Sequence, residues 1–446
     1  MKIGGLLRRM PQEALRLIGL AASAAAENGG RIFLVGGCVR DLLLNADNFD
    51  LDFVVEGDGI KTAQKLAASL NAEMIQHRRF GTATIVSQGV KIDVATARTE
   101  TYPVPASLPV VKPGTLEEDL YRRDFTINAM AVSINGGDFG SLVDSFGGRQ
   151  DLRGGKIRVL HNASFTDDPT RILRAARFEQ RYGFRIEPAT LVLLKNAARS
   201  RMLNAVHPHR LRDELILILK ERRPYRPLSR LKRSAGLDFL HPHISLGREA
   251  YGLFGKVPAR AEWFGRRLPH RRRPEIWVVY LMVLLDALTA AQSVEFCRRF
   301  GLRRGDEKRV LSVKQLNKAQ LKKLHSAAGR PSEIYSILEP LSYEAILFLS
   351  VKYGDRSLKK NIEDFLCFYN GLSIHINGRD IHQLGCGPGP LYQRIFSAVL
   401  EARLNGEVHN KQDELDLARG IIRKNTRTGG AVVSQQGQRG ERSGSR

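Results

Sequence analysis

The sequence predicts an α+β protein, with a small α/β head built on a sheet and an all-helical remainder. Three observations carry this reading. Short β-type runs bounded by turn residues recur through the first hundred positions. Apolar spacing of helical period takes over from Asp168 onward. Among 446 residues, 43% are apolar and 7% aromatic, enough to pack cores and too much for a disordered chain. At roughly 100–200 residues per domain, the length suits two to four domains.

Residues 12–28 have helical spacing and stop at Gly29-Gly30. Residues 31–35 (Arg-Ile-Phe-Leu-Val) read as a short buried strand leading into Gly36-Gly37. Further strands are expected at 51–55, 82–86 and 90–94, with a helix at 60–70 between the second and third. Residues 99–116 hold four prolines and are expected to form a long connection, of the length that is usually functional or mobile. The switch to an all-helical pattern near Gly155 marks the clearest domain boundary. Helices are expected at 170–180, 188–200 and 209–221, and onward to Arg423. The Pro/Arg-rich residues 222–226 mark a second boundary. The apolar run 276–285 stops at Asp286, and ten residues cannot cross a bilayer as a helix, so it reads as a buried core helix. The first residues lack the apolar segment of a signal peptide. Secretion and membrane spanning are therefore not expected. Residues 424–446, rich in Gly, Ser, Gln and Arg, are expected to be disordered.

Four scattered cysteines with no CxxC pair argue against a disulfide scaffold or a zinc site and fit a reducing cytoplasm. The 70 Lys+Arg against 46 Asp+Glu give a net charge of +24. Such an excess repels itself unless a polyanion shares the surface. Nucleic acid is the first candidate and an anionic membrane the second, while a generally basic proteome would leave the same mark.

Chemistry first appears at Gly36-Gly37 followed by Asp50-Leu51-Asp52. Residues i and i+2 of a strand share a face, so two carboxylates stand side by side. Such a pair repels unless a cation neutralises it, and hard oxygen donors suit Mg2+. Asp93, mid-strand in the fourth run, is a third oxygen donor or a structural group with equal weight. The glycines let backbone amides approach a triphosphate. Arg40 either braces that turn with Asp41 or touches phosphate.

These residues resemble the class II tRNA nucleotidyltransferases, the CCA-adding enzymes and their relatives in the DNA polymerase β-like superfamily. The match runs through Leu34-Val-Gly-Gly-Cys-Val-Arg-Asp41, Asp50-Leu-Asp52, Phe80-Gly-Thr-Ala83, Arg122-Arg-Asp-Phe-Thr-Ile-Asn-Ala129, Asp144-Ser-Phe-Gly-Gly-Arg149 and Asp168-Pro-Thr-Arg171 within Arg171-Ile-Leu-Arg-Ala-Ala-Arg-Phe178. It covers roughly residues 30–220 in the family's order, and Asn377-Gly-Arg-Asp380 to Pro390 resembles the tail of many members. The resemblance implies a nucleotidyltransferase head (1–155), a base-selecting neck (156–223), a helical RNA-binding body (224–330) and a tRNA-binding tail (331–423), with a sheet only in the head.

The implied reaction is attack of a tRNA 3′-hydroxyl on the α-phosphorus of CTP or ATP, with two Mg2+ ions and release of pyrophosphate. Asp50, Asp52 and Asp93 are the implied catalytic residues, the first two holding metal. Gly36, Gly37, Arg40, Arg122, Asp124, Asn128, Asp168, Arg171, Arg174 and Arg177 are implied to bind nucleotide. Cytosine and adenine both offer an amine donor beside a ring-nitrogen acceptor. A carboxylate and a guanidinium three residues apart on a helix fit both, while uracil and guanine oppose like polarity to like. Asp168 before Pro169 also suits a helix N-cap. Arg122 to Asp124 alternatively open a helix, with Asp124 as its cap.

Asp144, Arg149 and Asp151 either couple head to neck or form a structural salt bridge. Arg210 and Glu214, at i,i+4, are expected to pair with each other, whereas His207 and His209 lack the further ligands of a metal site. Arg222, Arg223 and Arg226, and Arg271, Arg272 and Arg273, are basic blocks expected to follow an RNA backbone. The partners expected are therefore tRNA, ATP and CTP, with no membrane and no DNA. Members restricted to CC addition are expected to have a shortened connection after Arg98; this one is full length, which favours CCA or terminal-A addition. A bacterial poly(A) polymerase and a non-catalytic RNA-binding relative are the competing readings.

Overall fold

The computed structural model describes residues 2–46, 50–87, 89–326 and 330–433. It divides into two compact units, residues 1–247 with 295–302 and residues 248–294 with 303–446.

The first unit is organised by a mixed seven-stranded sheet. Its strands are β1 (Arg31–Val35), β2 (Leu51–Glu56), β3 (Glu73–His77), β4 (Thr82–Ser87), β5 (Val90–Thr96), β8 (Ala131–Ser133) and β9 (Leu142–Val143), in the order β3-β4-β5-β2-β1-β8-β9. Only β2 and β5 pair in parallel; the other neighbours are antiparallel. β1 is apolar on both faces and buried from Ile32 to Val35, as befits a strand inside the sheet. β5 alternates instead, burying Ile92 and Val94 and turning Asp93 to the other face.

The helix Gly59–Leu70 crosses between β2 and β3. Asp58 caps it by accepting from the Lys61 N–H, and it buries Thr62, Ala63, Leu66 and Ala67. Gly59 is required there, because a Cβ would stand 2.6 Å from the Thr96 amide nitrogen.

Two expectations need correcting. Residues 99–116 are not an unstructured connection: β6 (Arg98–Thr101) and β7 (Val110–Pro113) form an antiparallel hairpin. The sheet is not confined to the head, since β10 (Lys156–Ile157) and β11 (Arg185–Ile186) pair in parallel beyond it. The helix Lys411–Val433 begins before residue 424, and the expectation of disorder at 424–446 falls mostly outside the described residues.

The second unit is helical. The run Ile276–Leu284 is a helix buried from Trp277 to Leu284, as its composition predicts. At the N-terminal turn of the helix Tyr343–Lys352, Glu344 is wholly buried and holds Arg272 at 2.9 Å and Arg309 at 3.2 Å. A second buried carboxylate, Glu414, accepts the His375 and Ile376 N–H groups and pairs with Arg403. Among the described residues no single helix is long and apolar enough to cross a membrane; Pro331–Leu338 and Tyr343–Lys352 pass only together, across a 114° bend. All four cysteines are free thiols.

Candidate active site

Gly36 ends β1 with φ 68°, a left-handed conformation that favours glycine. A Cβ there would also lie 2.7 Å from Arg123 Nη1. The turn leads into the helix Gly37–Leu43, which carries Arg40 and Asp41. Both are buried. Arg40 donates to both Asp41 oxygens and, at 2.6 Å, to Asn128 Oδ1, and it lies over the Phe178 and Tyr182 rings. Of its two expected roles, the structure displays the bracing one. Cys38 beside it is buried, and its thiol is pushed up to about 12 by burial and the nearby carboxylates.

Asp50 is exposed just before β2, and Asp52 sits half-buried on it. The parallel register places Asp52 opposite Asp93. Burial first, then Asp93, raises the Asp52 carboxyl to about 6; Arg123 and Lys91 oppose the rise and Asp50 adds to it. Asp93 is bonded on both oxygens, to Thr84 Oγ1 and to Lys91 Nζ, each at 2.5 Å.

Among the described residues, no three or more His, Cys, Asp or Glu form a ready-made metal cage. The donor chemistry nevertheless fits Mg2+, which takes one or two carboxylates and completes its sphere with water and substrate phosphate. An Asp52 carboxyl with too little positive charge to balance it is such a donor.

The motif residues 122–128 do not open a long helix. They follow the capped helix Leu116–Tyr121 and run into a single tight turn, Thr126–Asn128. Arg122 is held by Asp119 and Glu100, the latter on the β6–β7 hairpin. Asp124 is buried and accepts from Asn128 Nδ2 and Arg174. Despite the cost of burial, Arg174 and Asn128 hold its carboxyl down at about 2. Arg174 also pairs with Glu214, as does Arg177.

The pairing expected between Arg210 and Glu214 is therefore absent: Glu214 serves Arg174 and Arg177, while Arg210 reaches Asp168 at 2.7 Å. Asp144 caps the helix Gly148–Arg153 through the Gly148 and Arg149 N–H groups, and Asp151 accepts from Thr126 and Arg158.

Asp168 and Arg171 do not share a helix as expected: Asp168 is extended, and Arg171 is the first residue of the helix Arg171–Tyr182 that follows. Asp168 Oδ1 accepts the Thr170 N–H and hydroxyl and lies 2.7 Å from Arg210 Nη2; the N-cap of the helix is Thr170, with no side-chain cap bond, so Asp168 is not the expected N-cap. No bond among the described residues falls on Oδ2. Arg171 is buried; its Nη2 donates to the Arg122 carbonyl at 2.7 Å, and its Nη1 is buried with no acceptor. Leaving such a donor unsatisfied costs about 1–3 kcal/mol, so its place in the fold calls for a ligand. A cavity of about 650 Å3 opens beside it, lined in part by Glu100, Tyr102, Arg122, His161 and Asp167.

Sequence reasoning missed Arg123, which touches the Gly36 turn and the Asp52 field, and the Asp119–Glu100 pair that holds Arg122. The Arg-Arg-Asp run contained Arg123, but nothing local showed where it points. His207 donates no metal site; its ring nitrogen accepts the His209 N–H at the start of the helix Pro208–Leu219. Arg222, Arg223 and Arg226 are exposed and line a 200 Å3 pocket with Arg177 and Arg181. Arg271 and Arg272 are engaged within the second unit, by the Asn370 carbonyl and by Glu344; Arg272 and Arg273 are both exposed.

Comparison with known proteins agrees with this geometry. The family model for the poly A polymerase head domain matches residues 32–158, and that for the probable RNA and SrmB-binding site of polymerase A matches residues 183–246. An A-adding tRNA nucleotidyltransferase of Geobacter sulfurreducens is 37% identical over 92% of this chain, which spans 47% of that protein's length. Another from Halalkalibacterium halodurans is 32% identical over 92% of this chain and 93% of its own. A solved CCA-adding enzyme in an apo form superposes with a TM-score of 0.75 at 34% identity, covering 93% of this chain and 98% of that one.

Proposed function

Because the chain belongs to the tRNA nucleotidyltransferase and poly(A) polymerase family, we propose that it adds AMP from ATP, CMP from CTP, or both, to the 3′ end of tRNA without a template strand, releasing pyrophosphate. The observation that carries this reading is the buried, unpartnered Arg171 Nη1 three residues from a carboxylate with one open oxygen. Arg171 donates to the ring nitrogen of the incoming base, and Asp168 Oδ2 accepts from its exocyclic amine. Adenine and cytosine satisfy both groups; guanine and uracil leave both buried partners mismatched, which is what makes such discrimination large.

Asp50 and Asp52 are the residues that would hold Mg2+, with Asp93 beside them; the ion, when bound, supplies charge for the attacking oxygen and the leaving phosphates. Gly36 and Gly37 bring backbone close to the triphosphate. Asp124, Asn128 and Arg174 face the sugar and phosphates as one prebuilt network, with Arg40, Arg122 and Arg177 behind it. Arg222, Arg223, Arg226 and Arg273 contact the RNA backbone through exposed charge. Residues 1–155 act as head, 156–223 as neck, 224–330 as body and 331–423 as tail, in a cytoplasmic setting. Among the specificities, terminal-A addition is favoured by the A-adding enzymes that resemble most of the chain.

The test uses purified protein, Mg2+, and tRNAs ending before CCA, after CC or after CCA. ATP-dependent extension of the CC-ended tRNA alone supports the A-adding reading, and extension with CTP widens it to CCA. Long A tails on unrelated RNA select the poly(A) polymerase suggested by the head-domain match. No incorporation anywhere refutes the enzyme and leaves an RNA-binding relative.

A further inference from the structure

The helix Gly59–Leu70 packs against β3, β4 and β5, where Ala83, Ile85, Ile92 and Val94 are buried. The residues that alternate with them share the opposite face of the sheet. The register aligns four of these in one row: Asp52 lies opposite Asp93, Asp93 opposite Thr84, and Thr84 opposite Ile75. With strands about 4.8 Å apart, the row runs about 14 Å from β2 to the edge strand β3. In the next row Val86 stands between Lys91 and Glu73. Ile75 is 61% exposed and Val86 54%, although both are hydrocarbon and diagonal neighbours on this face. An exposed apolar edge invites pairing with other chains, so the fold gains nothing from it. Positive charge frames the patch. Lys91, Arg78 and Arg79 are exposed, and the two arginines pair with no carboxylate among the described residues.

We propose that this open face is the track of the RNA strand being extended, with its 3′-terminal nucleotide over Asp93 and Thr84 and the preceding base resting on Ile75 and Val86. The inference rests on the reading of Asp52 as the metal-holding residue of a 3′-end transferase. Such an enzyme must bring a 3′-hydroxyl to Asp52. On one side of β2 stands β1, whose Gly36 turn belongs to the proposed nucleotide site. The other side is β5, β4 and β3, and the row of partners leads outward over them. Unpaired bases present flat, largely apolar faces that hydrocarbon can cover without reading the sequence. The phosphates between them suit Lys91, Arg78 and Arg79. Hydrocarbon framed by cations therefore fits a single strand, whereas a duplex keeps its base faces stacked inside.

Two readouts test it on the full chain. In the double variant Ile75→Ser, Val86→Ser, KM for tRNA ending in CC should rise about tenfold, with KM for ATP and the melting temperature unchanged. The second readout needs no turnover. A tRNA carrying 4-thiouridine just before its 3′-terminal nucleotide should photocrosslink to wild type within residues 73–86, and about tenfold less to the double variant. Ile75→Thr with Val86→Thr keeps the β-branched shape and should fall between the two. It keeps the test decisive if the serine variant does not fold. A crosslink outside residues 73–86, or an unchanged KM for tRNA, overturns the track. An equal rise in KM for tRNA and ATP overturns it in favour of a structural role. Dimers of wild type that the double variant loses, with KM for tRNA unchanged, assign the face to a second copy of the chain instead. A wild-type chain that transfers no nucleotide refutes the enzymatic reading, while the crosslink still decides where the strand lies.

Discussion

Two acidic sites, one wholly buried and one half-buried, differ in how their charge is balanced. In the second unit Glu344 is wholly buried beside Arg272 and Arg309, and Arg272 and the Glu275 amide hold its carboxyl down at about 2, against the cost of burial. In the head, burial and two further aspartates push Asp52 up to about 6, with Arg123 and Lys91 too weak to reverse them. A fold under selection for stability alone would pair both carboxylates, because an unpaired buried charge is costly. The groups around the helix Arg171–Tyr182 differ in the same way at shorter range. Asp124 is fully matched by Arg174 and Asn128, while Arg171 keeps one nitrogen without an acceptor. Matched charge outside the proposed site, as at Glu344, serves architecture, while the unmatched Asp52 carboxyl and Arg171 nitrogen are where a bound ion and a base would complete the balance.

The largest expected effect follows from that contrast. Asp52→Asn should lower nucleotide transfer at least about a thousandfold, on the scale of losing a principal charge-stabilising group. Its melting temperature should hold or rise, since a repelling carboxylate is gone. A variant that keeps its activity removes Asp52 from the site.

Glu344→Gln should do the reverse. It removes the carboxylate shared by Arg272, which is exposed to water, and Arg309, which keeps Glu275 and Asp306, and should cost about 1–3 kcal/mol in denaturant unfolding, with transfer per folded molecule kept. The sign of its pH dependence is fixed. A carboxyl held down in the folded state contributes its full stability above its ordinary pKa near 4.5 and loses it as pH falls toward about 2. The gap in stability between wild type and Glu344→Gln should therefore narrow across that window. A gap that stays constant from pH 7 to pH 2.5 would show that the charge on Glu344 is not what matters.

The smallest effect separates basic residues that look alike in sequence. Arg273→Ala should lower the salt dependence of tRNA binding by about one unit of log K against log salt and leave stability unchanged. Arg272→Ala should lower stability by removing a partner of Glu344. Equal behaviour of the two would erase the distinction between an arginine engaged with Glu344 and one that is not.

The sequence disclosed what local pattern controls. β1 was legible because a run apolar on both faces suits an inner strand; of the two aspartates expected side by side on the next strand, only Asp52 lies in β2, and Asp50 precedes it, exposed. β3 was missed since Glu-Met-Ile-Gln-His has the polar pattern of an exposed edge strand. The β6–β7 hairpin was hidden by its prolines, three of which fall in its turn and the fourth at the end of β7. Ion pairing was the least legible. Arg210 and Glu214 satisfy the i,i+4 rule, yet each takes a partner about forty residues away, and Arg272 finds Glu344 72 positions on. Helical spacing limits which partners are near. Tertiary approach decides among them.

The most direct test of the central claim is a Mn2+ titration followed by electron paramagnetic resonance in the presence of ATP, on wild type, Asp52→Asn and Glu344→Gln. The account predicts that wild type and Glu344→Gln hold the ion alike, and that Asp52→Asn loses at least about tenfold in affinity. Equal binding by all three would contradict it, because the unmatched carboxylate of the head would then hold no metal.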